Sequence, residues 1–225
     1  MQSARTRWIA AAEAAALLAF AALLARLVLA HGGLARAAPL AFAAGACTGA
    51  LLADLASGVF HWLCDRFGSE TTPLVGPYLI SAFREHHRDP ASIARHGLCE
   101  RSGGNAFATL PVLVAAHAGL GALGTGGAAG FAFGAALAFA VYAALTNEIH
   151  LQAHRAEHPI LVAWLQRLRL VLPPEHHARH HGGEYDRAFC IATGWSNAFL
   201  DRLEIPARLE RRIRRGARER RVSGA

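Results

Sequence analysis

The chain has no lysine: all 23 of its basic residues are arginine. Alongside a surplus of alanine and glycine, that absence reflects a GC-rich coding composition rather than chemistry. Cysteine is scarce. The four, at positions 47, 64, 99 and 190, stand far apart without a Cys-x-x-Cys pair, which argues against a disulfide framework and a zinc–thiolate site. Charged residues fill only 17% of the 225 positions and hydrophobic ones 53%, a balance that sets the chain apart from the average soluble domain and puts a membrane reading first. No haem, flavin or nicotinamide fingerprint is visible. The outlying excess is histidine, with 13 residues.

Four stretches are long and apolar enough to cross a bilayer as helices of about 20 residues: 8–30, 38–62, 106–123 and 127–147. Pro111 is expected to kink the third rather than end it. A secretory signal competes for the first, but its apolar run exceeds the about 7 to 15 residues of a signal core, so an uncleaved helix is expected. Basic residues near span ends stay on the cytoplasmic side. Arg5 and Arg7 precede the first span, five arginines separate the second from the third, fourteen follow the fourth, and only Arg26 and Arg36 fall near the opposite face. Both termini and the polar stretch around "SAFREHHRDPASIARHGLCE" are therefore expected on the cytoplasmic face of a bacterial inner membrane. Residues 159–173, with Arg167 and Arg169, are too short and too charged to span and are expected to lie in the interface. The basic tail, 207–225, is expected to touch anionic head groups, with no nucleic-acid partner. The expected fold is all-α: a single polytopic membrane domain over 1–225, with about four transmembrane helices and a cytoplasmic, histidine-rich helical cap.

The histidines sort by this topology. His31 lies outward and His117 inside the third span; the other eleven sit at or beyond the cytoplasmic helix ends. His150 and His154, four apart, project one turn apart on one helix face, with Asn147 beside them. His176, His177, His180 and His181 fall within an arc of about 140° if helical, so one face could serve two metals. Asp54, His61 and Asp65 share a stripe of the second span, and an ionisable residue such as Asp54 within the membrane thickness points to a functional or paired role. Neutral imidazole suits Fe, Zn, Cu and Ni. Carboxylates at Asp65, Glu85, Asp89, Glu100 and Glu148 could accept the second ring N–H of ligating histidines. His31, His117 and His158 are read as ordinary polar residues.

Taken together, "HWLCD", "FREHHRDP", "RHGLCE", "TNEIHLQAH", "LPPEHHARHH" and "FCIATGWSN" resemble the lipid desaturase family, which includes plasmanylethanolamine desaturases and the chloroplast phosphatidylglycerol desaturase. The resemblance covers about Leu52 to Glu210 and is nearest to the plasmanylethanolamine branch. It implies an integral membrane, O2-dependent oxidoreductase with two iron ions held by residues drawn from His61, His86, His87, His96, His150, His154, His176, His177, His180 and His181. That set exceeds the usual eight or nine, and His96 and His176 are the first to demote to supporting roles. Asn147, Asp54, Asp65, Glu85 and Glu100 are candidates for water-mediated or outer contacts.

The implied reaction converts the 1-O-alkyl chain of an ether phospholipid into a vinyl ether, fed with electrons by a separate cytochrome b5-like protein or ferredoxin. Arg84, Arg88, Arg179 and Arg187 are expected to contribute to head-group or donor contact. An acyl-lipid desaturase or hydroxylase of the same di-iron type is the rival within the chemistry. A membrane metal carrier or haem cytochrome is the rival outside it, disfavoured because the histidines cluster at helix ends rather than within the spans.

Overall fold

The structure, a computed structural model, describes residues 7–223; Arg5 and the last two residues of the basic tail lie outside the described residues. All regular structure among them is helical. Four long helices follow the four apolar runs: α1 (Arg7–His31), α3 (Pro39–Arg66), α5 (Leu98–Leu120) and α6 (Gly127–Ala153), with a five-residue α2 (Gly33–Ala37) joining the first two. Each is long and apolar enough to cross a membrane. Pro39 opens α3 in its first turn, where a missing N–H costs nothing, and α5 runs on through Pro111. Three helices overrun the expected spans toward one end: α3 continues to Arg66, α6 to Ala153, and α5 already begins at Leu98. The extra turns carry the polar residues of the site.

Across the bundle the helices lie in the order α1, α5, α6, α3. The α3–α6 contact is the closest, and glycine makes it so. A Cβ at Gly49 would collide with the Ala135 carbonyl, and one at Gly134 with the Phe42 carbonyl, so the two backbones touch along a small-residue seam of the kind that packs helices in lipid. Phe20, Leu27, Leu113, Leu120 and Phe133 fill the centre. Leu18, Leu29, Leu40, Phe60 and Phe107 point outward, well exposed. In water such a surface would be an aggregation hazard, whereas lipid covers it; the protein is an integral membrane protein.

A cap of short helices closes one end. A π-helical turn, Gly76–Ile80, runs straight into α4 (Ser81–Arg88). There the chain leaves the helix ahead of Pro90, which disfavours helical dihedrals at Asp89, and Asp89 sits at φ −144°, ψ 90°. Then come α7 (Ile160–Arg167), α8 (Pro174–His181), α9 (Asn197–Arg202) and α10 (Ile205–Ser223). The stretch expected along the interface thus contains a helix of only eight residues, while most of the basic tail continues as helix. Arg66, at the end of α3, holds α10 through Glu210 at 2.8 and 3.2 Å, and Arg214 reaches back to the Arg66 carbonyl. A small core of Ile149, Ala153, Leu172 and Ile191 fastens the end of α6 to the cap.

Candidate metal centre

Eight histidines and one aspartate converge where α3 and α6 meet the cap, in two sets. The first joins His86 of α4, His150 of α6 and His154 just beyond it, and His177 and His181 of α8. Their Nε2 atoms approach one another directly: His150 to His177 at 2.8 Å, His177 to His154 at 2.8 Å, His181 to His177 at 3.0 Å and His86 to His181 at 3.2 Å. The second joins His61 and Asp65 of α3, His87 of α4 and His180 of α8. Here the Nε2 atoms of His61, His180 and His87 lie 3.3, 3.5 and 3.6 Å from Asp65 oxygens.

Helical geometry explains the partition. Residues four apart share a face and residues one apart diverge by about 100°. So the pairs His61/Asp65, His150/His154 and His177/His181 each serve one set. The adjacent pairs His86/His87 and His180/His181 each divide between the two.

Outer partners fix the rings. His61 Nδ1–H donates to the Phe189 carbonyl at 3.0 Å and His180 Nδ1–H to the Arg187 carbonyl at 2.7 Å. A carbonyl only accepts, so the proton is on Nδ1, and each Nε2 turns a lone pair toward the centre. There those lone pairs face a carboxylate: His61 Nε2 and both Asp65 oxygens are buried without a hydrogen-bonding partner. Acceptors aimed at acceptors in a buried pocket are costly to leave unpaired. A cation at their focus would satisfy them together, and in the first set five imidazole nitrogens gather within 4.8 Å of one another, a spacing that a cation at their centre would also suit. The donor set of imidazole nitrogens with one carboxylate and no thiolate suits iron as well as it suits other borderline divalent metals.

Burial keeps the rings outside the spans neutral and ready to ligate. It pushes His86 down to about 2, helped by the neighbouring His154 and His181, and His87 to about 3, helped by His180 and His181. His154 falls to about 4 for the same reasons, and His180 to about 4 despite the Arg187 carbonyl. His177 lies well below the ordinary value.

Two of the ten candidate histidines fall outside both sets. His96 pairs with Glu100 at 2.9 Å. His176 has a buried Nδ1 without a partner, near Gly194. Among the outer candidates, Asp65 sits within the second set itself. Asn147 donates its amide to the Arg101 carbonyl at 2.7 Å, while Arg101 forks onto the neighbouring Glu148 at 2.6 and 3.0 Å, so both residues tie α6 to α5. Glu85 faces Arg95, as does Asp89 at 2.7 Å. Asp54 is fully buried and accepts the backbone N–H groups of Thr193, Gly194 and Ser196 at 2.8, 2.8 and 3.0 Å. It anchors the same segment whose Phe189 and Arg187 carbonyls orient His61 and His180. The four arginines of the expected patch are spread over separate partners: the Gly68 carbonyl for Arg84, Glu70 for Arg88, Asp201 for Arg179 and Asp186 for Arg187. His31 and His117 meet edge to face at 5.5 Å, away from both sets.

Three aromatic residues around the second set had no signal in the sequence. The rings of Phe83 and Phe189 lie 5.0 and 5.9 Å from His61, and Tyr185 stacks on His87.

A family model described as the lipid desaturase domain matches residues 50–221. The chain is 38% identical over 205 residues to a plasmanylethanolamine desaturase of Myxococcus xanthus, covering 91% of this chain and 72% of that protein. It is 37% identical over 175 residues to plasmanylethanolamine desaturase 1 of Mus musculus, covering 74% of this chain and 62% of that protein. With the chloroplastic fatty acid desaturase 4 of Arabidopsis thaliana it shares 33% identity over 168 residues, 72% of this chain and 48% of that protein. No solved structure matches.

Proposed function

This chain belongs to the lipid desaturase family, and from that premise we propose that it oxidises the 1-O-alkyl chain of an ether phospholipid to a vinyl ether, as the names of two of its relatives suggest. The observation that carries the metal chemistry is the pair of adjoining ligand sets, in each of which the ligand atoms lie within 4.8 Å of one another. In this reading His86, His150, His154, His177 and His181 hold one iron, and His61, Asp65, His87 and His180 the other. Bound there, the irons would supply the O2-dependent oxidising power that no side chain can provide. Per turnover two hydrogens leave adjacent carbons, O2 takes them up with two further protons and two electrons, and two waters result. The electrons come from a separate cytochrome b5-like protein or ferredoxin.

The chain's own part is positioning and exclusion of water. Carbonyls of residues 187 and 189 hold two rings in one tautomer, Asp54 holds the segment that bears those carbonyls, and Phe83 and Phe189 wall the second set with apolar surface. The alkyl chain reaches the site from the bilayer, because the ligand-bearing ends of α3 and α6 continue lipid-facing helices. The arginine asymmetry supports a cap, and with it a donor, on the cytoplasmic side of a bacterial inner membrane.

The test is expression in a plasmalogen-free host fed alkylglycerol. Acid-labile vinyl ethers are expected with the native gene and not with Asp65→Ala. New double bonds in acyl chains instead would support the acyl-lipid reading and contradict the ether-lipid one.

A further inference from the structure

Residues 182–187 are exposed or half-exposed and touch the second ligand set through Tyr185 and Arg187, and the backbone from 184 to 188 is pinned on several sides. The Glu184 carbonyl accepts from Arg66 at 3.5 Å, the Arg187 carbonyl from His180, and Ala188 N–H donates to Asp201 at 3.1 Å. Within this stretch Tyr185 and Ala188 both take left-handed dihedrals, φ +52° and +56°. A bulky residue at positive φ is uncommon and costs free energy, so it persists where surroundings force it. The adjoining Gly182 and Gly183, which would take such a conformation freely, are not the residues that do.

What the strain achieves is a stacked ring. Tyr185 lies on the face of His87 with centroids 4.0 Å apart and planes 8° from parallel, and its hydroxyl donates to the His87 carbonyl at 3.3 Å. The same ring is 5.6 and 5.9 Å from His180 and His181. His61 and His180 are oriented through Nδ1 by carbonyls; for His87 the corresponding restraint comes from Tyr185.

We propose that Tyr185 is a positioning residue for the second metal site, holding the His87 imidazole in its ligating orientation by face stacking and a hydroxyl bond to the same residue's backbone. This rests on the reading of His61, Asp65, His87 and His180 as a metal site. Outer partners that orient metal ligands change metal affinity by about 10- to 100-fold when removed. The first site, which Tyr185 touches only at the edge of His181, keeps its affinity.

Cobalt(II) titration of the full chain in lipid nanodiscs tests this, with the ligand-field spectrum as readout. Wild type takes up two ions, and His87→Ala serves as the reference for a damaged second site. Tyr185→Asn removes the ring with a side chain that tolerates left-handed dihedrals, so lost binding is not a backbone artefact; Tyr185→Phe keeps the stack. Expected is a second ion bound about 10- to 100-fold more weakly, with a changed spectrum, in Tyr185→Asn, and affinity largely restored in Tyr185→Phe. If Tyr185→Asn binds both ions with the wild-type spectrum while His87→Ala does not, the positioning role is wrong and the metal site stands. If the variant weakens both ions equally, Tyr185 merely supports the fold. If wild type itself takes up fewer than two ions, the metal reading fails and this proposal with it.

Discussion

The two ligand sets are built differently. The five-imidazole set takes its shape from side-chain spacing: one histidine of α4, His86, and two pairs four apart, at the end of α6 and on α8. The mixed set depends more on chain distant in sequence. His61 and His180 are oriented by carbonyls of a non-helical segment, and that segment hangs from Asp54, two turns down α3 inside the bundle. Periodicity makes the first set robust, whereas the second is only as sound as residues 187–196. Buried carboxylates in membrane proteins invite a direct functional reading, yet Asp54 acts here through three backbone bonds and stands outside both ligand sets.

Substitutions should separate the sets. The largest effect is expected at the ligands: His177→Ala and Asp65→Ala each abolish turnover, and each lowers iron from two per chain toward one by emptying its own set. Loss of both irons in either variant would show that the sets are not independent.

Next comes Asp54→Ala. It leaves three buried N–H groups unpaired, at about 1–3 kcal/mol each, so a marked fall in thermal midpoint is expected, with iron lost from the mixed set before the five-imidazole set. Equal loss from both would erase the distinction.

A third test is acidification of the metal-free protein. His86, His87, His154 and His180 are held below their ordinary value in the folded cap, whereas unfolded imidazoles take up protons near pH 6.5. Above about pH 6.5 neither state binds the protons and these groups do not affect stability. Below it the unfolded chain binds more, so stability falls as pH drops from about 6.5 toward about 4. Thermal melts at pH 7.5, 6 and 5 should show that decline, and bound metal should move it to lower pH because it stabilises only the folded, neutral cluster. A flat profile would mean that the cap histidines are not buried as described. The smallest effects belong to His96→Ala and His176→Ala, both expected to keep two irons and turnover within about twofold.

Much of this was legible because α-helical spacing is itself a geometric statement. The four apolar runs match the four long helices, and the histidine clusters contain the residues that the structure gathers in the first set. The partition of adjacent histidines between two sets was also within reach of the four-residue rule, and so was Asp65, one turn beyond His61 on the stripe shared with Asp54. Partners on irregular backbone were not legible. The carbonyls of Arg187 and Phe189 have no side-chain signature, and Tyr185 reaches His87 across 98 residues. The helices extend past the expected spans for a related reason: hydropathy marks where lipid stops, and α3, α5 and α6 carry their polar turns beyond it.

The proposed function requires two different metal environments adjoining at the end of this bundle. Mössbauer spectroscopy of the full chain loaded with iron-57 tests it most directly. Two quadrupole doublets of equal area are predicted, one of which disappears in Asp65→Ala; a single doublet, or iron well below two per chain after iron-replete loading, would contradict the account.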